Sequence, residues 1–236
     1  MKHCNPFKDL TKLELILWIT SLAAVSGSYL LSPSGDHLTL IASLIGVTAL
    51  IFVSKGYVFG QILTVAFAVF YGIISFYFRY YGEMITYLCM PAPIAVLSAI
   101  SWIKNPYKDS REVSVNSLSG KQRAAMLLLT PSGTVLFYFI LNALGTANLL
   151  FSTISIATSF LASYLMMMRS AYYALAYAAN DIVLIVLWGL AAAEDASYFP
   201  MIVCFAMFFI NDFYGFINWQ KMKKRQRVNE AASFIK

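Results

Sequence analysis

Apolar residues run through this chain in long blocks, and polar residues do not alternate within them. A helix needs about 20 residues, at about 1.5 Å rise each, to cross a hydrocarbon core about 30 Å thick. Eight blocks meet that requirement or approach it: Leu13–Leu31, Leu38–Val53, Tyr57–Tyr77, Met84–Ile103, Ala124–Leu144, Asn148–Met168, Tyr172–Ala192 and Phe199–Trp219. A membrane barrel would show period-two alternation instead. The pattern predicts an all-α membrane protein with eight transmembrane helices. Pro91 and Pro93 interrupt the fourth block and Pro131 the fifth. Each removes a backbone donor, which suits a kink used for rocking and a static bend equally well.

Composition agrees: 60% of the residues are hydrophobic and 12% charged, against about 25% charged in a soluble domain. The net charge of +6 is distributed by side. With eight spans, all of the 17 Lys and Arg residues except Arg79 fall on the side of the termini, while Asp36, Glu83, Glu194 and Asp195 lie opposite. Both termini are therefore expected to be cytoplasmic. The run Gln220–Arg227 reads as a membrane anchor, and no nucleic-acid partner is expected. Three scattered cysteines, Cys4, Cys89 and Cys204, imply no disulfide framework, and His3 and His37 have no ligand spacing around them. No metal, cofactor or phosphate-binding loop is expected.

Two stretches repeat at an interval of 117 positions: Tyr71-Gly72 returns as Trp188-Gly189, Tyr81 as Tyr198, Met84-Ile85 as Met201-Ile202, and Trp102 as Trp219. The interval pairs the third block with the seventh and the fourth with the eighth. The second pairs with the sixth after a small slip near Lys55 and Arg169. One membrane domain, 1–236, then divides into an extra helix (13–31), a three-helix unit (38–103), a linker helix (124–144), a second three-helix unit (148–219) and a basic tail (220–236). The linker lets both units enter the membrane in the same direction, giving a 3+1+3 parallel repeat. The loop Lys104–Arg123 reads as a tether. Proteins built from two such halves hold a small solute between them, which points to transport.

Polar residues at membrane depth mark the candidate site. Tyr173, Tyr177, Asn180, Leu184 and Trp188 share one helical face; Gln61, Thr64, Ala68, Tyr71 and Ser75 share another; Asn211, Tyr214 and Asn218 share a third. Amides beside aromatic rings suit a planar, polar, partly aromatic solute. Thr64, Ser75 and Asn142 are equally suited to bonding between helices, and Tyr57, Trp102 and Trp219 to the interfacial belt. Asp181 and Asp212 follow the two asparagines, with nothing basic at their depth. An aspartate there costs about 2.5–3.5 kcal/mol on insertion scales. Two readings stand side by side: contact with the solute or a coupling proton, or bonds to neighbouring helices near Asn142 or Ser159.

On these residues the chain resembles the PnuC family of bacterial vitamin transporters, which share their fold with the SWEET sugar carriers. The resemblance covers about Leu38 to Arg227. It rests on Tyr57-Val58-Phe59-Gly60-Gln61, Ala179-Asn180-Asp181, Ser101-Trp102-Ile103, and Asn211-Asp212-Phe213-Tyr214-Gly215 through Trp219. Tyr173 and Leu63 stand where the family often has tryptophan and asparagine. The resemblance implies import of nicotinamide riboside across the bacterial cytoplasmic membrane by facilitated diffusion. It also implies trapping by a cytoplasmic kinase, and a homotrimer. Asn180 and Asn211 would bond the solute, Tyr173, Tyr177 and Trp188 would stack on it, and Gln61 and Tyr71 would face them. Tyr214, Asp181 and Asp212 complete the candidate set. A thiamine or riboflavin carrier and the binding subunit of an energy-coupled importer are the alternatives. No mid-span lysine is available for a retinal Schiff base, and no nucleophile or metal for an enzyme.

Overall fold

The structure is a computed structural model and describes residues 5–32, 37–77 and 81–233. His3, Cys4, Asp36, Arg79 and Lys236 lie outside the described residues, as do the side chains of Ser75, Tyr81 and Glu83. Nine α-helices follow in order: α1 (Lys12–Leu30), α2 (His37–Ser54), α3 (Val58–Tyr77), α4 (Tyr81–Cys89), α5 (Pro91–Ile103), α6 (Gly120–Ala143), α7 (Leu149–Met167), α8 (Tyr173–Glu194) and α9 (Phe199–Ser233). Six of them, α1, α2, α6, α7, α8 and the apolar part of α9, are long and apolar enough to cross a membrane. The apolar stretches Val58–Ile73 and Tyr87–Ile103 are shorter.

Two elements depart from the expected blocks. The fourth block is broken at Met90 into α4 and α5, because Pro91 takes the first helical position, where its missing N–H is not needed. Pro131 stays inside α6 without breaking it. The last helix runs well past Trp219, so the basic tail through Ser233 is helical. Capping boxes start α1 at Thr11/Glu14 and α6 at Ser119/Gln122.

Packing is duplicated. Helix α3 packs on α2 and α5, as α8 packs on α7 and α9. Across the molecule α2 meets α9 and α5 meets α7. Lys55, Lys104 and Arg169 mark one end of the bundle, the basic face, and there the correspondence extends to single hydrogen bonds. Trp102 Nε1 donates to Met166 O at 3.1 Å, and Trp219 Nε1 donates to Val53 O at 2.9 Å. One residue earlier, Ser101 Oγ donates to Met167 O and Asn218 Nδ2 to Ser54 O, both at 2.9 Å. The two indoles meet at 5.3 Å between centroids. Helices α2 and α7 both stop through a left-handed residue, Gly56 (φ 69°) and Arg169 (φ 57°). Gly56 N bonds Val53 O and Arg169 N bonds Met166 O. Each of those two carbonyls thus accepts one bond from its own chain turn and one from the opposite half.

The segment between α5 and α6 is not a slack tether. Val113 N donates to Gly56 O and Asn116 N to Arg169 O, both at 2.9 Å, so it is sewn to both left-handed turns. The extension of α9 holds it from outside. Gln226 Oε1 accepts from Val115 N at 2.8 Å while Gln226 Nε2 donates to Val113 O at 3.1 Å, and Arg225 pairs with Glu112. Nearby, burial pushes the Tyr57 phenol up to about 12, so it stays protonated and donates to Asp9 Oδ2.

Helix α1 docks on α2 and α9. Its Glu14, 2% exposed, bonds Lys55 Nζ at 2.9 Å and accepts from Tyr214 OH at 2.9 Å. Helix α6 touches chiefly α7, and Leu127, Leu136 and Phe139 on it are exposed as a lipid-facing surface requires.

At Gly60, an added Cβ would lie 2.4 Å from Val53 N and 2.8 Å from Phe52 C. Gly60→Ala should therefore push α3 off α2 and cost about 1–3 kcal/mol. Gly27→Ala, with nothing within 4 Å, should stay within about 0.5 kcal/mol; thermal unfolding in detergent compares them. Trp219→Phe keeps a ring but removes the donor to Val53 O. It should cost about 1–3 kcal/mol in the same assay.

Candidate functional site

Between the halves lies a cavity of about 210 Å³. Its wall takes Thr64, Phe67, Ala68 and Tyr71 from α3, Tyr177, Asn180, Asp181, Leu184 and Trp188 from α8, and Phe205, Phe208 and Asp212 from α9. Helix α7 adds Ser152, Ser155 and Ser159, and the break between α4 and α5 adds Met90 and Pro91. The repeat interval relates Thr64 to Asp181, Phe67 to Leu184 and Tyr71 to Trp188, so the two like units supply matching positions to one chamber.

Asn180 is held from behind. Its Oδ1 accepts from Thr158 Oγ1 at 2.8 Å and from Ser155 Oγ at 3.1 Å. With the oxygen engaged by α7, the amide N–H groups are what it can offer to a solute. Tyr177 OH and Ser163 Oγ bond at 2.8 Å, which orients that ring. Aromatic contacts form a second wall: Tyr71 and Tyr87 lie 4.3 Å apart, Phe67 packs edge-on to Phe208 at 6.2 Å, and Trp188 meets Tyr198 at 5.5 Å. Asp181 and Asp212, 3% and 4% exposed, lie within hydrogen-bonding range of each other. Asp181 Oδ2 receives no hydrogen bond from any described protein group. Among the described residues lining the cavity, none is Lys, Arg or His.

Six of the ten expected site residues therefore share the cavity: Asn180, Asp181, Tyr177, Trp188, Tyr71 and Asp212. Four are placed elsewhere. Asn211 Nδ2 donates to Ser21 Oγ of α1 at 2.9 Å and to Met207 O at 2.7 Å. Tyr214 bonds Glu14 of α1. These two share a face of α9, as their spacing requires, but the face looks toward α1 while Asp212 looks into the cavity. Tyr173, 1% exposed, packs against Trp219 at 4.9 Å in the plug toward the basic face. Gln61 is fully buried and donates from Nε2 to Met166 Sδ at 2.9 Å. Asp181 and Asp212 face each other, and of Asn142 and Ser159 only Ser159 is among the residues lining their cavity. The serines of α7 were the missed contributors; Ser152, Ser155 and Ser159 at steps of three and four carried the signal. Among the described residues no group of acidic, His or Cys side chains could hold a metal ion.

Known proteins resemble this one along most of its length. It is 23% identical over 214 residues to the nicotinamide riboside transporter PnuC of Neisseria mucosa, covering 89% of this chain and 81% of that protein. It is 25% identical over 213 residues to the PnuC of Haemophilus influenzae, covering 89% and 91%. The crystal structure of the vitamin B3 transporter PnuC superposes with a TM-score of 0.77 at 23% identity, covering 92% of this chain and 94% of that one. The all-helical, multi-pass fold is thus the PnuC fold. The sequence profile described as nicotinamide mononucleotide transporter matches residues 36–221, almost all of the chain from α2 into α9. By that match the chain belongs to the nicotinamide mononucleotide transporter family, whose members are transporters and not enzymes.

Proposed function

We propose that this protein imports nicotinamide riboside, rather than the mononucleotide, across the bacterial cytoplasmic membrane. The observation that carries the choice is the charge of the cavity wall. A phosphomonoester brings about two negative charges, which need Arg, Lys or backbone donors when desolvated. Among the described residues, the lining includes no basic side chain and includes Asp181 and Asp212. A riboside brings only a ring, hydroxyls and a carboxamide. Trp188, Tyr71 and Tyr177 supply ring surface, and Asn180 supplies amide donors.

The architecture is read as eight spans with both termini cytoplasmic. An extra helix precedes a 3+1+3 parallel repeat, with α4 and α5 together forming one span. The paired bonds of Trp102 and Trp219 support that reading. Tyr173, both tryptophans and the segment 104–119 close the cytoplasmic side of the cavity, so loading occurs from outside. Transport follows the solute gradient, and a cytoplasmic kinase completes the process. Its phosphorylated product meets an acidic wall and is not readmitted.

The purified protein, alone in liposomes, should accumulate labelled nicotinamide riboside to equilibrium, with excess unlabelled riboside competing. The mononucleotide, thiamine and riboflavin should compete poorly. Competition by the mononucleotide as strong as by the riboside would remove the charge argument, and uptake only with an added ATPase would favour a binding subunit. Asn180→Ala should lower uptake about 10-fold or more, since a lost buried hydrogen bond to a polar solute is worth about 1.5–3 kcal/mol when its partner is stranded. Normal uptake by that protein would remove Asn180 from the site.

A further inference from the structure

We infer that the Asp181–Asp212 pair reads the positive charge of the solute ring, so that the cavity selects a pyridinium riboside over its neutral reduced form. The inference rests on the riboside reading above and deepens it. Both carboxyl groups are almost wholly buried and line the same chamber, one from α8 and one from α9. Asp181 Oδ2 receives no hydrogen bond from any described N–H or hydroxyl group. A carboxylate oxygen left without a partner at this depth is costly, unless something that enters the chamber satisfies it. Lys55 is already engaged by Glu14 at the basic face and is not among the cavity residues.

Two further observations point to a cation. Tyr71, Tyr87 and Trp188 present ring faces and edges to the same space, and aromatic faces attract a delocalised cation through the ring quadrupole. The repeat also supplies a comparison within the chain. At the interval of 117, Thr64 and Ala95 occupy the positions of Asp181 and Asp212. The fold therefore accommodates a hydroxyl and a methyl at the equivalent places, and the acidic pair is a property of this cavity rather than of the architecture. Two carboxyls in contact can share one proton. The pair then holds a single negative charge, which matches a monovalent ring cation. A dihydropyridine ring of nearly the same shape would keep the stacking and lose the charge attraction.

Equilibrium binding of nicotinamide riboside and of its reduced, uncharged form to the purified protein tests this. The native protein should bind the cation about 10- to 100-fold more tightly, the range for a charge-assisted contact. Asp181→Asn and Asp212→Asn should each bring the two affinities to within about threefold, while thermal unfolding in detergent close to that of the native protein reports an intact fold. Equal binding of both forms by the native protein, or an undiminished preference in both asparagine proteins, overturns the inference and leaves riboside transport standing. Should an asparagine protein bind neither form, Asp181→Glu decides: a retained preference supports the inference and a lost one overturns it. Binding of thiamine, also a cation, with neither riboside bound would reject the riboside assignment and support charge selection. Binding of neutral riboflavin alone would reject both.

Discussion

Two backbone carbonyls, Val53 O and Met166 O, hold the molecule's halves together. A helix end inside or near a membrane cannot leave its carbonyls to water, and each half closes the other's helix with an indole N–H. The exchange is reciprocal. Trp219 closes α2 and Trp102 closes α7, and the left-handed turns at Gly56 and Arg169 deliver the second bond to the same two oxygens. With the ends fixed in this way, α3 and α8 both line the chamber between the halves.

The same constraint accounts for the segment between α5 and α6. Gly56 O and Arg169 O are exposed by the turns that precede α3 and α8, and Val113 N and Asn116 N satisfy them. Burial of Trp102, Tyr173, Trp219 and Met222 in one cluster then follows, because the segment lies over them and the long α9 presses Gln226 against it. Polar satisfaction and apolar burial thus reinforce each other at one end of the bundle.

Much of this was legible in the sequence. Apart from the break at Met90 and the far end of α9, helix bounds followed from the apolar blocks to within a few residues, since lipid demands both length and apolarity. The matching contacts of α3 and α8 agree with the recurrence of Tyr71-Gly72 as Trp188-Gly189, and the face of α8 followed from the spacing of Tyr177, Asn180 and Trp188. What stayed hidden depends on which neighbour a face meets. Asn211 and Tyr214 have the spacing of a site wall, but α1 lies outside the repeat and no periodicity tells where it docks. It takes both residues, through Ser21 and Glu14. The tether reading of Lys104–Arg123 failed for a related reason, and its last residues already belong to α6. Its bonds are backbone bonds to two turns far away in sequence, and no side-chain pattern announces them. The helical continuation of α9 was concealed by its charge, which read as a tail although Met222 and Gln226 keep the spacing of a buried stripe.

Helix α1 makes the two seams of the molecule unequal. Where α2 meets α9, it lies across both, with Glu14 tied to Lys55 on one side and to Tyr214 on the other. Where α5 meets α7, α6 brings Phe137 and Leu141 against Met90, Ile94 and Ile156, an apolar cluster in place of the Glu14 bonds. One seam is thereby closed by a buried ion pair and a phenol and the other by apolar side chains, so loss of a charge would strike the first and loss of side-chain volume the second.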